Sequence, residues 1–127
     1  MEKRLCCFLA ADAPPQSGHQ ALQIRVSVEL RKLAKDGPLL CVSTERSWFE
    51  RLAARAADKL AAEGAVLGCR RVSCADEGAQ RALVARCRYC ICYIPDERSL
   101  SCPPVSWALE NNLGVIPLGR PAAEVSE

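Results

Sequence analysis

Short apolar runs recur along the chain at 4–10 ("RLCCFLA"), 38–43 ("PLLCVS"), 65–74 ("AVLGCRRVSC"), 89–95 ("YCICYIP") and 114–118 ("GVIPL"), each parted from the next by a segment of helical character. Runs this brief, bounded by turn residues, suit strands covered on both faces. Strands that alternate with helices imply parallel pairing through right-handed crossovers. The expected fold is therefore a three-layer α/β sandwich around a five-stranded parallel sheet.

The intervening segments differ in clarity. "DAPPQSGH" at 12–19 holds two prolines and a glycine and reads as the loop that ends the first strand. Residues 22–30, "LQIRVSVEL", alternate with period two, which is a strand signal. Leu22, Val26, Leu30 and Leu33 also share one helical face, and lysines followed by Gly37 close the segment like a helix end. We read it as helix, with Ile24 and Val28 on its other side. Trp48, Phe49, Leu52, Ala53, Ala56, Ala57 and Leu60 repeat with a helical period, Ser47 and Glu50 are spaced for a capping box, and Gly64 ends the helix. Shorter helices are expected over 76–85, with an acidic first turn, and over 103–112, where Pro103 and Pro104 suit the first turn.

A chain of 127 residues is the size of one domain. We expect that domain to span 1–120, with a frayed tail over 121–127. Seventeen Lys and Arg against fifteen Asp and Glu leave a net charge of +2, which is no footprint for nucleic acid. Lys3 and Arg4 ahead of "LCCFLAA" imitate a secretory signal, but the apolar stretch is short and Pro14 follows the cut that such a signal would need. A buried first strand accounts for the same residues. No segment reaches the roughly 18 apolar residues that span a bilayer, so a cytoplasmic protein with reduced thiols and no membrane partner is expected.

Nine cysteines invite a metal or redox reading. Cys87, Cys90 and Cys92 are spaced Cys-x-x-Cys-x-Cys, but a zinc site needs a fourth ligand, and neither a second Cys-x-x-Cys nor a His pair exists, His19 being the single histidine. A thioredoxin-like pair would open a helix, and this one leads into a strand. Cys6, Cys7, Cys41, Cys69, Cys74, Cys90 and Cys92 fall in expected strands, where cysteine serves as a small buried hydrophobe. Neither metal nor cofactor is expected, and Cys87 and Cys102 should be the most reactive thiols.

In an open parallel sheet, ligands sit beyond the carboxyl ends of the strands. Those ends offer Asp12, Ser17 and His19 after the first strand, Ser43, Thr44 and Glu45 after the second, and Asp96, Glu97, Arg98 and Ser99 after the fourth. Asp12, Ser17, Ser43, Thr44, Asp96, Arg98 and Ser99 are the candidate ligand-binding residues. Turn chemistry and helix capping explain Asp and Ser at such places equally well.

The succession "KRLCCFLAAD", "ELRKLAKDGPLLCVS", "WFERLAARAADKLAAE", "RCRYCICYIPD" and "WALENNLGVIPL" resembles the SLOG superfamily of Rossmann-like domains over residues 3 to 119. That superfamily includes LOG-type phosphoribohydrolases, the DNA-processing protein A fold and the YpsA-like branch, to which the pattern is most similar. The resemblance implies the strand order 3-2-1-4-5. It also implies a nucleotide-derived ligand, but the glycine turns that cradle a phosphate in that family are missing. "VSTERS" keeps Ser43 without a glycine, "PDERSLSCPPVS" has none, and "LAAD" replaces the family's turn after strand one. Backbone amides approach a phosphate closely where no Cβ intervenes, so nucleotide binding should be weak. The Arg and Glu motif of LOG-type hydrolysis is not found. The expected function is a degenerate, non-catalytic SLOG-like module that binds a ligand or regulates a partner, with a homodimer as its expected assembly. The alternative is a small enzyme acting on a nucleotide-derived metabolite through Asp12, Ser43 and Asp96. A receiver-like phosphoacceptor fits less well, since the third strand ends in "VSC" without an aspartate.

Overall fold

The computed structural model describes residues 4–10, 17–74, 76–94 and 103–119, the side chains of 103–105 excepted. In chain order the elements are β1 (Arg4–Ala10), α1 (His19–Ala34), β2 (Leu39–Ser43), α2 (Trp48–Ala62), β3 (Gly68–Arg71), α3 (Glu77–Ala85), β4 (Tyr89–Tyr93), α4 (Pro103–Glu110) and β5 (Gly114–Leu118). The strands form one parallel sheet in the order β3-β2-β1-β4-β5. This is the expected Rossmann-like order. It puts β1 at the centre, and the direction of winding reverses between β1 and β4.

The contest between periods two and 3.6 over residues 22–30 resolves as helix. A strand would have put Leu22, Ile24, Val26, Val28 and Leu30 on a single face. In α1, Leu22, Val26 and Leu30 are fully buried, while Ile24 and Val28 are 57% and 43% exposed. Burial of each of the three inward side chains contributes about 1.5–3 kcal/mol, and no strand could place them so while keeping α1 as the crossover to β2. In α2 the small side chains of Ala53, Ala56 and Ala57 are fully buried and let the helix axis approach the sheet closely. Ser47 caps its first turn, and Gly64, at φ 81°, turns the chain out of it.

Two cores follow from the strand period. Cys6, Phe8, Cys41, Ile91 and Tyr93 face α1 and α2, and Cys7, Leu9, Cys90 and Cys92 face the layer that contains Val84 and Trp107. The sheet edges carry residues that discourage pairing with another chain: Arg70 and Arg71 are exposed on β3, and Pro117 lies in β5.

Two cysteine expectations change. β3 stops at Arg71, so Cys74 lies beyond the strand in a half-buried connection. Cys87 is 6% exposed because it turns under Val84 and Trp107, so it is not an open thiol, and Cys69 and Cys74 are the more accessible ones. Cys102 lies outside the described residues. Among the described residues no group of His, Cys, Asp and Glu is arranged to hold a metal, and no helix is long and apolar enough to cross a membrane.

At the amino end of the sheet, Arg4 joins three elements. One Nη donates to the Leu33 and Gly37 carbonyls, each at 2.6 Å, and the other to the Tyr89 hydroxyl at 2.9 Å. The Leu33 carbonyl has only a long 3.4 Å bond from the Asp36 amide and the Gly37 carbonyl lies just past α1, so the guanidinium supplies donors together with positive charge at the negative end of the helix dipole. Its Nε is buried with no hydrogen-bond partner among the described residues, so the clamp carries a desolvation cost. Arg4→Ala should destabilise the fold by about 1.5–3 kcal/mol in urea unfolding, the range for hydrogen bonds to charged groups. Arg4→Lys should recover less than half of that loss, because an ammonium lacks the planar fork.

Candidate functional site

The chain leaves β2 through Ser43 and enters α2 at Ser47, and this short loop is held from inside by a carboxylate. Glu50, in the first turn of α2, is 2% exposed. Its Oε2 accepts the Thr44 amide at 2.8 Å and the Thr44 hydroxyl at 2.6 Å, and its Oε1 accepts the Ser47 hydroxyl at 3.2 Å. The Ser47 Oγ in turn accepts the Glu50 amide at 3.2 Å. The capping box read from sequence is therefore present in a modified form, with the carboxylate reaching beyond the cap to Thr44. A buried charge is tolerable here because its oxygens are satisfied and it lies at the positive end of a helix.

Ser43 is fully buried, and its Oγ accepts the Glu45 amide at 3.1 Å and donates to the Glu50 carbonyl at 3.4 Å. Glu45 adopts φ 56°, in the left-handed region that favours glycine. The backbone shape of a glycine turn thus persists with a side chain in place of hydrogen. Arg51 Nη1 donates to the Glu45 carbonyl at 3.1 Å and steadies the turn from outside.

Beside this loop, at the carboxyl end of β1, lies a cleft of about 190 Å³ lined by Leu9, Ala10, Arg46, Ser47, Glu50 and Gln80. Arg46 is exposed and pairs with no carboxylate among the described residues. Gln80 comes from α3, and its Nε2 donates to the Thr44 hydroxyl at 3.4 Å. Near the same end of the sheet, the rings of His19 and Trp48 stack at 6.2 Å, and Trp48 meets Tyr93 edge-on at 5.0 Å. These rings bring together the starts of α1 and α2 and the end of β4.

Of the candidate residues, Ser43 ends β2 and Thr44 opens the β2–α2 loop, and their hydroxyls serve the loop itself. Ser17 is exposed ahead of α1. Asp12, Asp96, Arg98 and Ser99 lie outside the described residues. Arg46, Ser47, Glu50 and Gln80 were not among the candidates. Ser47 and Glu50 had a sequence signal in the capping spacing, but Gln80 had none, since only the packing of α3 brings it to the cleft.

Set against family models, curated proteins and solved structures, the chain matches none. Fold and site geometry therefore carry the functional reading.

Glu50→Ala would leave the Thr44 amide without its acceptor inside the loop and should cost about 2–3 kcal/mol, whereas Glu50→Gln should cost about half as much. Glu45→Gly should be neutral or stabilise by up to about 1 kcal/mol, because it relieves a left-handed side chain. Urea unfolding of the three variants orders them.

At the end of β3, Arg71 forms a two-bond pair with Asp58 of α2, at 2.9 and 2.7 Å, and its Nε lies 3.7 Å from a Glu45 oxygen. The hydrogen bonds from Arg71 hold the Asp58 carboxyl below the usual aspartate range. A depressed carboxylate stabilises the fold above the unfolded value of about 3.9, and the contribution disappears as pH falls through the folded value. Both side chains are well exposed, 39% and 50%, so the contribution should stay under about 1 kcal/mol. Asp58→Asn should lower stability slightly at neutral pH, and the difference from the parent protein should close as pH falls below the unfolded value and through the lowered folded value of Asp58, as read from unfolding curves across pH.

Proposed function

We propose that the chain is a non-catalytic SLOG-like domain that binds a small anionic metabolite at the carboxyl ends of β1 and β2 and acts as a regulatory module. The observation that carries this reading is the division of labour around the cleft. The carboxylate of Glu50 and the hydroxyls of Ser43, Thr44 and Ser47 are engaged in holding the loop. Arg46, in contrast, stands at the rim without a carboxylate partner among the described residues and offers a cation to a ligand. A general base must reach its substrate, and a carboxylate closed in by three donors is poorly placed to do so.

Size points the same way. Sites for drug-sized ligands enclose about 300–1,000 Å³, and this cleft is smaller, at about 190 Å³. A short carboxylic acid fits such a space better than a nucleotide. The β2–α2 loop holds side chains at every position from Thr44 to Ser47, so its amides cannot approach a phosphate as a glycine turn would.

A thermal-shift panel tests the reading. A ligand at about 100 times its dissociation constant adds roughly 2.7 kcal/mol, which for a domain of this size raises Tm by several degrees, at about 2–8 °C per kcal/mol. Millimolar AMP, ADP, ATP and NAD should leave Tm within about 1 °C, which is below the response expected at that saturation. Short mono- and dicarboxylates should include a compound that raises it, and Arg46→Ala should abolish that rise. A shift of several degrees with a nucleotide that Asp12→Ala or Ser43→Ala abolishes, or turnover of any bound compound, would replace this reading with that of an enzyme.

A further inference from the structure

Around the cleft at the carboxyl end of β1 the hydrogen bonds run in one direction, and that direction fixes which polar group is left for a ligand. An ionised carboxylate only accepts. Glu50 Oε2 lies 2.6 Å from the Thr44 hydroxyl oxygen and 2.8 Å from the Thr44 amide nitrogen, so the single hydroxyl proton of Thr44 is spent on the carboxylate. The Thr44 oxygen can then only accept. Gln80 approaches it at 3.4 Å and must therefore present its amide nitrogen, Nε2, which leaves Oε1 as the open end of the same side chain. Gln80 is half-buried, and its Oε1 accepts no hydrogen bond among the described residues.

The other lining side chains offer no second acceptor. Leu9 and Ala10 contribute carbon alone. The Ser47 hydroxyl donates to Glu50 Oε1 and accepts the Glu50 amide, and Glu50 is buried with three donors on its oxygens. Arg46, exposed at the rim, can only donate, and it pairs with no carboxylate among the described residues. Among its lining side chains the cleft thus sets one cationic donor and one neutral acceptor beside an apolar wall.

We infer, resting on the reading of this cleft as an anion site, that its ligand is a short hydroxy acid whose carboxylate pairs with Arg46 and whose hydroxyl donates to Gln80 Oε1. A carboxylate takes two parallel bonds from a guanidinium. A hydroxyl has one proton to place, and the Gln80 oxygen receives it. An ammonium carries three donors and meets one open side-chain acceptor, so an amino acid of the same skeleton fits less well. An acid without the hydroxyl sets hydrocarbon against the Gln80 oxygen, which then loses water and gains no partner. Gln80 selects the hydroxyl, and Thr44 and Glu50 are positioning residues that fix which way its amide faces.

Calorimetric titration of the purified chain tests the assignment, with glycolate, lactate, β-hydroxybutyrate and malate each set against its deoxy counterpart, acetate, propionate, butyrate or succinate. At least one hydroxy acid should bind about 2- to 10-fold more tightly than its deoxy partner, the range for one neutral hydrogen bond. It should also bind more tightly than the amino acid of the same skeleton: glycine, alanine, β-aminobutyrate or aspartate. Gln80→Leu should bring the hydroxy and deoxy acids to equal affinity while the deoxy acid binds at least as tightly as before, and Arg46→Ala should abolish binding of both. Deoxy acids that bind the parent protein as tightly as the hydroxy acids, and are lost in Arg46→Ala, would overturn the hydroxyl contact and leave the anion site standing. Tighter binding of the amino acid, or a hydroxyl preference that survives in Gln80→Leu, would overturn it as well. Silence from every acid would overturn both the contact and the anion site. The comparison of acids on the parent protein needs no variant, so it decides the matter even if Gln80→Leu fails to fold.

Discussion

Burial of both faces of β1 is the constraint around which the other elements are arranged. Cys6 and Phe8 point into the core under α1 and α2, and Cys7 and Leu9 point into the opposite core, all at 4% exposure or less. A strand in that position needs a hydrogen-bonded neighbour on each side and a helical layer on each face, because its backbone and side chains alike are removed from water. β2 and β4 supply the neighbours. The helices supply the layers, and the reversal of winding beside β1 opens the carboxyl end of the sheet where the cleft lies.

The use of cysteine follows from the same crowding. On a strand flanked by four layers of atoms, a thiol fills about the space of a small hydrophobe and needs no hydrogen-bond partner. Cys6 and Cys41 fill such places on one side of the sheet, and Cys7, Cys90 and Cys92 on the other. Parallel pairing sets Cys7 beside Cys90 across β1 and β4, and along β4 the sulfurs of Cys90 and Cys92 lie 3.4 Å apart.

The loop between β2 and α2 shows a different balance. Where a glycine turn would present bare amides, Glu45 keeps the left-handed backbone and Glu50 turns its carboxylate inward to take up the Thr44 amide. The loop is thus tied to the first turn of α2 by the carboxylate of Glu50. Arg46 keeps its charge outward at the cleft.

The amino-acid pattern by itself determined the element order, the helical face of α2 and the two-sided burial of the strands, because each rests on a local period of hydrophobic residues. It also exposed the Ser47 and Glu50 spacing, since a capping box closes within one turn. The conflict over residues 22–30 was legible but not decidable locally, for Leu22, Val26 and Leu30 satisfy both periods and only the sheet they cover selects one. β3 was shorter than its apolar run because the run continues past the point where β2 offers partners, which ends with Ser43 opposite Arg71. Tertiary structure alone brought Gln80 to the cleft, joined Arg4 to the end of α1 and gathered Cys7 with Cys87. These contacts link residues far apart in the chain, and no local period records them; they exist only because burying β1 folds those distant segments onto its two faces.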